Sequence, residues 1–369
     1  MPSSTSWGAY ALPGAATSPR RFDILGLSGE TPAVLDLPRL ERIRLTARPR
    51  GQRVVGYALL MPNYRLPPRV RIDLEGLDRL PKEPVIFAMN HTDRYNYWPF
   101  QYRLWRTAGR FTATWVKGKY YQNPAVAKFM ELMNNIPTVS RGYLIARDFL
   151  NVMGHPPSTE QYETLRKRVR AAALKAPGPY DPAEAPKDVP RPLLTTRRNM
   201  LGHAFDPAHE SWEGAVDALF RAMMRRFVEL NAEAFDKGLD LLVFPQGTRS
   251  IRLSRGHIGL AQIALRYRRT VVPVGCNGSD RVYPGSAPVA RGGHIVYRIG
   301  EPIRFEDVAR YHIGESFEPF TAEAEEAHRE RFQGLMDLVM ERINELLDPP
   351  YQFREDRESE GVAGSSRFV

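Results

Sequence analysis

Apolar residues recur along the chain at two different periods, and their alternation lays out the fold. Short apolar or alternating runs of strand type occupy residues 70–74, 85–89, 112–116, 136–139, 239–243, 270–276 and 294–299. Between them, apolar positions three and four residues apart predict helices over 98–107, 124–134, 159–175, 211–237, 256–267 and 322–347. The longest carries Trp212, Ala215, Val216, Leu219, Phe220, Met223, Phe227 and Leu230 on one face, and Gly238 follows as a C-cap. Pro99 suits only the first turn of its helix, and Pro349-Pro350 stop the last one. Helices alternating with buried strands predict an α/β fold, a mostly parallel central sheet covered by helices on both faces.

Residues 1–20 are rich in Ser, Gly, Pro and Ala and, like the tail 354–369, read as disordered. The span 39–350 is expected to form a single α/β domain with a helical insertion over about 150–237, whose proline-rich part, 177–192, reads as an exposed loop. Charge narrows the partners. The 369 residues carry 52 Lys and Arg against 42 Asp and Glu, a net charge of +10. Such a chain favours an anionic partner: a phosphorylated substrate, an acyl carrier or an anionic membrane surface. The basic residues are dispersed and no nucleic-acid motif is present, so nucleic acid is not an expected partner.

Cys276 is the only cysteine, which excludes an intrachain disulfide and a cysteine-rich metal site. His203, Asp206 and His209 lie in a polar loop and are not read as metal ligands. No run approaches the roughly 20 apolar residues that span a bilayer, and residues 1–20 lack the apolar core of a signal peptide. The expected setting is cytoplasmic, peripheral on the membrane face. The long helix offers Arg221, Arg225 and Arg226 to such a surface or to solvent.

Two blocks carry the chemistry. Asn90-His91-Thr92-Asp93-Arg94-Tyr95-Asn96 and Val243-Phe244-Pro245-Gln246-Gly247-Thr248-Arg249-Ser250 each follow a strand, the usual place for a site in an open α/β sheet. His91 is a proton acceptor near neutral pH. Gly247 permits close backbone approach, Thr248 and Ser250 offer hydroxyls, and Arg249 can grip a phosphate in a bidentate fashion.

These blocks, with residues 117–141 between them and 271–278 after them, occur in the order found in the glycerolipid acyltransferases, which include the lysophosphatidic acid acyltransferases. The chain resembles that family over about 71–301. The resemblance implies transfer of a fatty acyl group from acyl-CoA or acyl carrier protein to a hydroxyl of a glycerol phosphate or lysophospholipid, with His91 as general base. No metal or organic cofactor is implied, because the thioester is already activated. The family's acidic partner of the histidine, five residues on, is Asn96 here, and Asp93 is the alternative carboxylate or else a turn residue. Gln246 stands where the family has Glu, and the resemblance assigns it to acceptor binding with Gly247, Thr248, Arg249 and Arg141, while Lys117 and Lys119 could approach the same anion. Losing two acidic groups also fits a catalytically inactive lipid-binding protein or an acceptor that is a non-phosphate alcohol or an amine. The aromatic stretch 95–105 reads mainly as core, with part of it available to an acyl channel.

Overall fold

The structure is a computed structural model and describes residues 35–175, 178–181 and 186–357. The segment 1–20 and most of the tail, from 358 on, lie outside the described residues, as does part of the proline-rich stretch.

Seven strands form one sheet: β1 Val70–Glu75, β2 Ile86–Met89, β3 Thr112–Lys117, β4 Asn135–Thr138, β7 Asp240–Val243, β8 Val271–Asn277 and β9 Gly293–Ile299. A separate two-stranded hairpin pairs β5 Arg198–Met200 with β6 His203–Phe205. The order across the large sheet is β1-β9-β8-β2-β7-β3-β4. All its pairings are parallel except β8 with β9. The expected α/β architecture, a mostly parallel sheet with helices on both faces, is what the chain forms.

Residue period two divides the core. Ile86 and Ala88 of β2 and Leu241 and Val243 of β7 face one apolar layer, built on the helices Trp212–Asp236 and Ala322–Glu345. Phe87 and Met89 face the other, where the helix Tyr97–Ala108 contributes Trp98, Phe100, Tyr102 and Leu104. That burial accounts for most of the aromatic stretch as core.

The predicted helices appear with ends moved by a few residues. Ser211 caps Trp212–Asp236 by accepting the Gly214 N–H, and Gly109 closes Tyr97–Ala108 in the left-handed region. Several helices were not read from the periodicity, and the longest of them, Arg141–Met153, capped by Ser140, begins where the pattern suggests only a strand ending. The basic edge of the long helix is turned to acidic neighbours rather than left bare. Arg221 pairs with Asp217 and Glu323, Arg225 with Glu318, and Arg226 with Glu229 and Glu233.

Candidate functional site

The sheet order decides which loops meet. β2 lies between β8 and β7, and β3 is the next strand beyond β7. Strands in a sheet are about 4.8 Å apart, so the loops after β2, β7 and β3 emerge side by side at one edge. Those loops carry His91 and the Gln246–Ser250 block, and Lys117 is the last residue of β3.

Chain direction out of β2 is fixed by side chains that replace ladder bonds. The Asn90 side chain donates to the Cys276 carbonyl at 3.0 Å and accepts the Cys276 N–H at 2.7 Å, which extends the pairing with β8 by one rung. Both backbone groups of the next residue are then taken by the loop after β7. His91 N–H donates to Gln246 Oε1 at 2.9 Å, and the His91 carbonyl accepts the Ser250 N–H at 2.9 Å. The imidazole stacks on Phe244, ring centroids 4.1 Å apart and planes 21° from parallel.

Asn96 sets the tautomer of that ring. Its Nδ2 donates to the Asn90 carbonyl at 2.8 Å, so the atom facing His91 Nδ1 at 3.1 Å is the amide oxygen. An amide oxygen only accepts, so Nδ1 carries the proton and Nε2 keeps its lone pair. Asn96 is itself fully buried, and its backbone carbonyl accepts the Tyr297 hydroxyl. Burial drives the His91 pKa down from 6.5 to about 3; the bond to Asn96 opposes this, while Arg249 and Lys117 add to it. The ring is therefore neutral at physiological pH.

Of the two readings of Asp93, the contacts are those of the turn residue: its carboxylate accepts the Thr92 hydroxyl at 2.9 Å and the Tyr95 N–H at 2.8 Å. Burial pushes its pKa up. Gln246 is 2% exposed and faces no open space, because Oε1 holds His91 N–H and Nε2 donates to the Arg252 carbonyl at 3.2 Å and Ser254 Oγ at 3.3 Å. It joins two loops rather than contacting an acceptor. Arg141 pairs with Asp217 at 2.8 Å and lies over the Phe220 ring at 4.1 Å.

Gly247 has a structural requirement of its own. It closes a turn by donating to the Phe244 carbonyl at 3.0 Å with φ +67°, and a Cβ there would come within 2.7 Å of His257 Cδ2. Thr248 is half-buried on the same loop, and Arg249 is exposed at its tip.

The positive charge beside His91 is larger than the motifs indicated. Lys117 and Arg249 both act on the imidazole. Burial lowers the Lys119 pKa, and the charges of Arg249, Arg147 and Arg94 lower it further. Burial likewise lowers Arg147. Arg94 and Arg147 were missed from the sequence. Arg94 had a usable signal, sitting inside the His91 block, whereas Arg147 lies on the helix Arg141–Met153 that the periodicity did not reveal. Like charges held this closely favour a multiply charged anion, and a lone pair on Nε2 beside them can take a proton from a hydroxyl.

No protein-family model matches the chain, and no curated protein does. A similar solved structure is that of the 1-acyl-sn-glycerophosphate (LPA) acyltransferase PlsC from Thermotoga maritima. It is 16% identical over 81% of this chain and 79% of that one, with a TM-score of 0.33. So loose a superposition carries no argument about chemistry, which rests on the site's own residues.

Proposed function

We propose that the protein transfers an acyl group from a thioester, acyl-CoA or acyl carrier protein, to a hydroxyl of a phosphate-bearing glycerolipid acceptor, with His91 as general base. The observation that carries this reading is the chain of bonds from the Asn90 carbonyl through the Asn96 amide to His91 Nδ1. It leaves Nε2 as the proton acceptor next to the cations Arg249 and Lys117.

The acceptor's phosphate would lie among Arg249, Lys117, Lys119, Arg94 and Arg147, within reach of the Thr248 loop. Nε2 takes the acceptor's hydroxyl proton as its oxygen attacks the thioester carbonyl. The tetrahedral intermediate collapses with cleavage of the C–S bond, and the leaving thiolate recovers the proton from the imidazolium. Asn96 supplies orientation but no negative charge, so the bound phosphate becomes the anion nearest the developing imidazolium. That offsets part of the penalty that burial and the two cations impose on protonation. Asn in place of a carboxylate is thus paired with a site that needs its substrate's own charge. Among the described residues no helix is long and apolar enough to cross a membrane, and we place the protein peripherally on the cytoplasmic face.

The test combines purified protein with long-chain acyl-CoA or acyl carrier donors and lysophosphatidic acid, glycerol 3-phosphate or neutral alcohols, followed by thiol release and mass spectrometry. Product from the phosphate acceptors that disappears in His91→Ala supports the reading. Folded protein that binds phosphate lipids without turnover on any pair replaces it with a lipid-binding role. Turnover with neutral alcohols that ignores Arg249→Gln overturns the phosphate assignment.

A further inference from the structure

A concave site lies at the other end of the strands. A cavity of about 300 Å³ is lined by Arg48, Arg53, Tyr57, Trp105, Arg106 and Phe111. Phe111 immediately precedes β3, and Gln52 in the adjoining helix donates to the carbonyl of Thr112, the first residue of β3, at 2.8 Å. The cavity therefore sits at the start of strands whose far ends carry His91 and Lys117. Six residues of strand at about 3.3 Å each put roughly 20 Å between the two sites.

Its aromatic wall is built of rings in mutual contact. Trp105 stacks on Phe111, centroids 6.0 Å apart and planes 24° from parallel, and meets Tyr57 edge-on at 5.1 Å. Gly56 lets the helix lie directly on that indole, since a Cβ there would come within 2.7 Å of Trp105 Cζ3. The backbone here, Gly56–Leu60, is a π-helical turn between the helices Arg50–Val55 and Met61–Arg65, and Tyr57 is presented by it. Gln52 also donates to the Met133 carbonyl at 2.8 Å, which anchors the helix one residue before Arg53.

The charged wall is open to a ligand. Arg106 donates to the Tyr57 hydroxyl at 3.0 Å, with its guanidinium 5.5 Å from the Tyr57 ring centroid and 5.7 Å from that of Trp105. Among the described residues, none of Arg48, Arg53 and Arg106 is ion-paired with a carboxylate. Exposed arginines are ordinarily just solvated. Three converging on one aromatic cavity, with no acidic residue in its lining, are placed to hold an anion.

We propose that this cavity binds a phosphate ester whose organic half is flat or apolar. The guanidinium forks match phosphate oxygens, and the rings Tyr57, Trp105 and Phe111 offer faces and edges for the rest of the molecule. A cavity of this size lies at the lower end of the roughly 300–1,000 Å³ usual for small-ligand sites. A soluble aromatic phosphate and a lipid headgroup at a bilayer share this chemistry. The exposed Val54 and Leu59 on the same helical segment would suit the second source.

The experiment uses the full chain as wild type, Arg53→Gln with Arg106→Gln, and Arg249→Gln. AMP and phenyl phosphate are titrated by calorimetry. Vesicles of phosphatidylcholine alone or with phosphatidylglycerol are followed by co-sedimentation. The expected result is saturable binding of a soluble ester or of the anionic vesicles, weakened at least tenfold in the Arg53/Arg106 variant, whose circular dichroism and thioester turnover stay unchanged, and retained in Arg249→Gln. Which probe binds names the source. Binding that survives the Arg53/Arg106 change, binding that vanishes only with Arg249→Gln, or no binding above the phosphatidylcholine background overturns the proposal. Because Arg53 and Arg106 are exposed and distant from His91, loss of the acyl-transfer reading would leave this result untouched.

Discussion

Gln246 Oε1 accepts the backbone N–H of His91 at 2.9 Å, so a side chain from the loop after β7 holds the loop after β2 in place. The other end of the same amide donates to the Arg252 carbonyl and Ser254 Oγ. Glu at this position keeps an acceptor for His91 but turns a second acceptor toward the Arg252 carbonyl, inside a nearly closed space. Gln246→Glu is expected to cost about 1–3 kcal/mol of stability, the penalty for a buried polar group without its partner. Thermal melting measures this, and the preference among phosphate acceptors should stay the same. A switch in acceptor with unchanged melting would show that Gln246 faces substrate after all.

Gly247→Ala meets two separate obstacles. Its φ of +67° disfavours any side chain, and the new methyl would press on His257. The expected cost is about 1–3 kcal/mol. Combining it with His257→Ala should restore only the steric share, so the double change is expected to cost less than the sum of the two single ones. Strict additivity would place His257 away from the turn.

The sheet was legible because its strands are short apolar runs bounded by turn residues, and the blocks after β2 and β7 followed from that placement. What periodicity hid was the pairing order that seats β7 between β2 and β3, since non-local neighbours leave no local signal. The helix Arg141–Met153, buried along most of its length with Arg147 and Asp148 included, follows directly on the short strand β4, and the reading stopped at that strand's end. Arg141 reads as a ligand contact because it matches an arginine of the family's middle block. Gln246 misled for a different reason: its position in the motif is shared with a substrate contact, but the direction its side chain takes depends on Arg252 and Ser254, which no spacing rule encodes.

Arg141 and Arg147 lie six residues apart on one helix and should respond oppositely to the same change. Arg141→Gln removes one of the two arginines on Asp217, leaving Arg221 Nε at 2.6 Å, so a loss of about 1–3 kcal/mol is expected. KM for the phosphate acceptor should not move. Arg147→Gln is expected to raise that KM roughly tenfold, the equivalent of about 1.4 kcal/mol, with little change in melting. Steady-state kinetics beside thermal melting of both variants separates the roles. A raised KM in Arg141→Gln alone would reverse the assignment.

The low pKa of His91 fixes the sign of two pH effects. An unfolded chain binds a proton at this residue near pH 6.5, while burial lets the folded protein resist it until about pH 3. Stability from the neutral ring is therefore complete above about pH 6.5 and is lost as pH falls through the window between those values. For the free protein, the acid limb of kcat/KM should lie well below 6.5. Inorganic phosphate near Arg249 and Lys117 adds negative charge and is expected to shift the pKa upward. Asn96→Asp should do the same without ligand and bring an acid limb into the measurable range. NMR titration of the His91 ring in wild type, with and without phosphate, and in Asn96→Asp follows each shift directly. A wild-type ring titrating near 6.5 in the free protein would mean that it is fully solvated, and the assignment of Nε2 as a desolvated base would fall with that result.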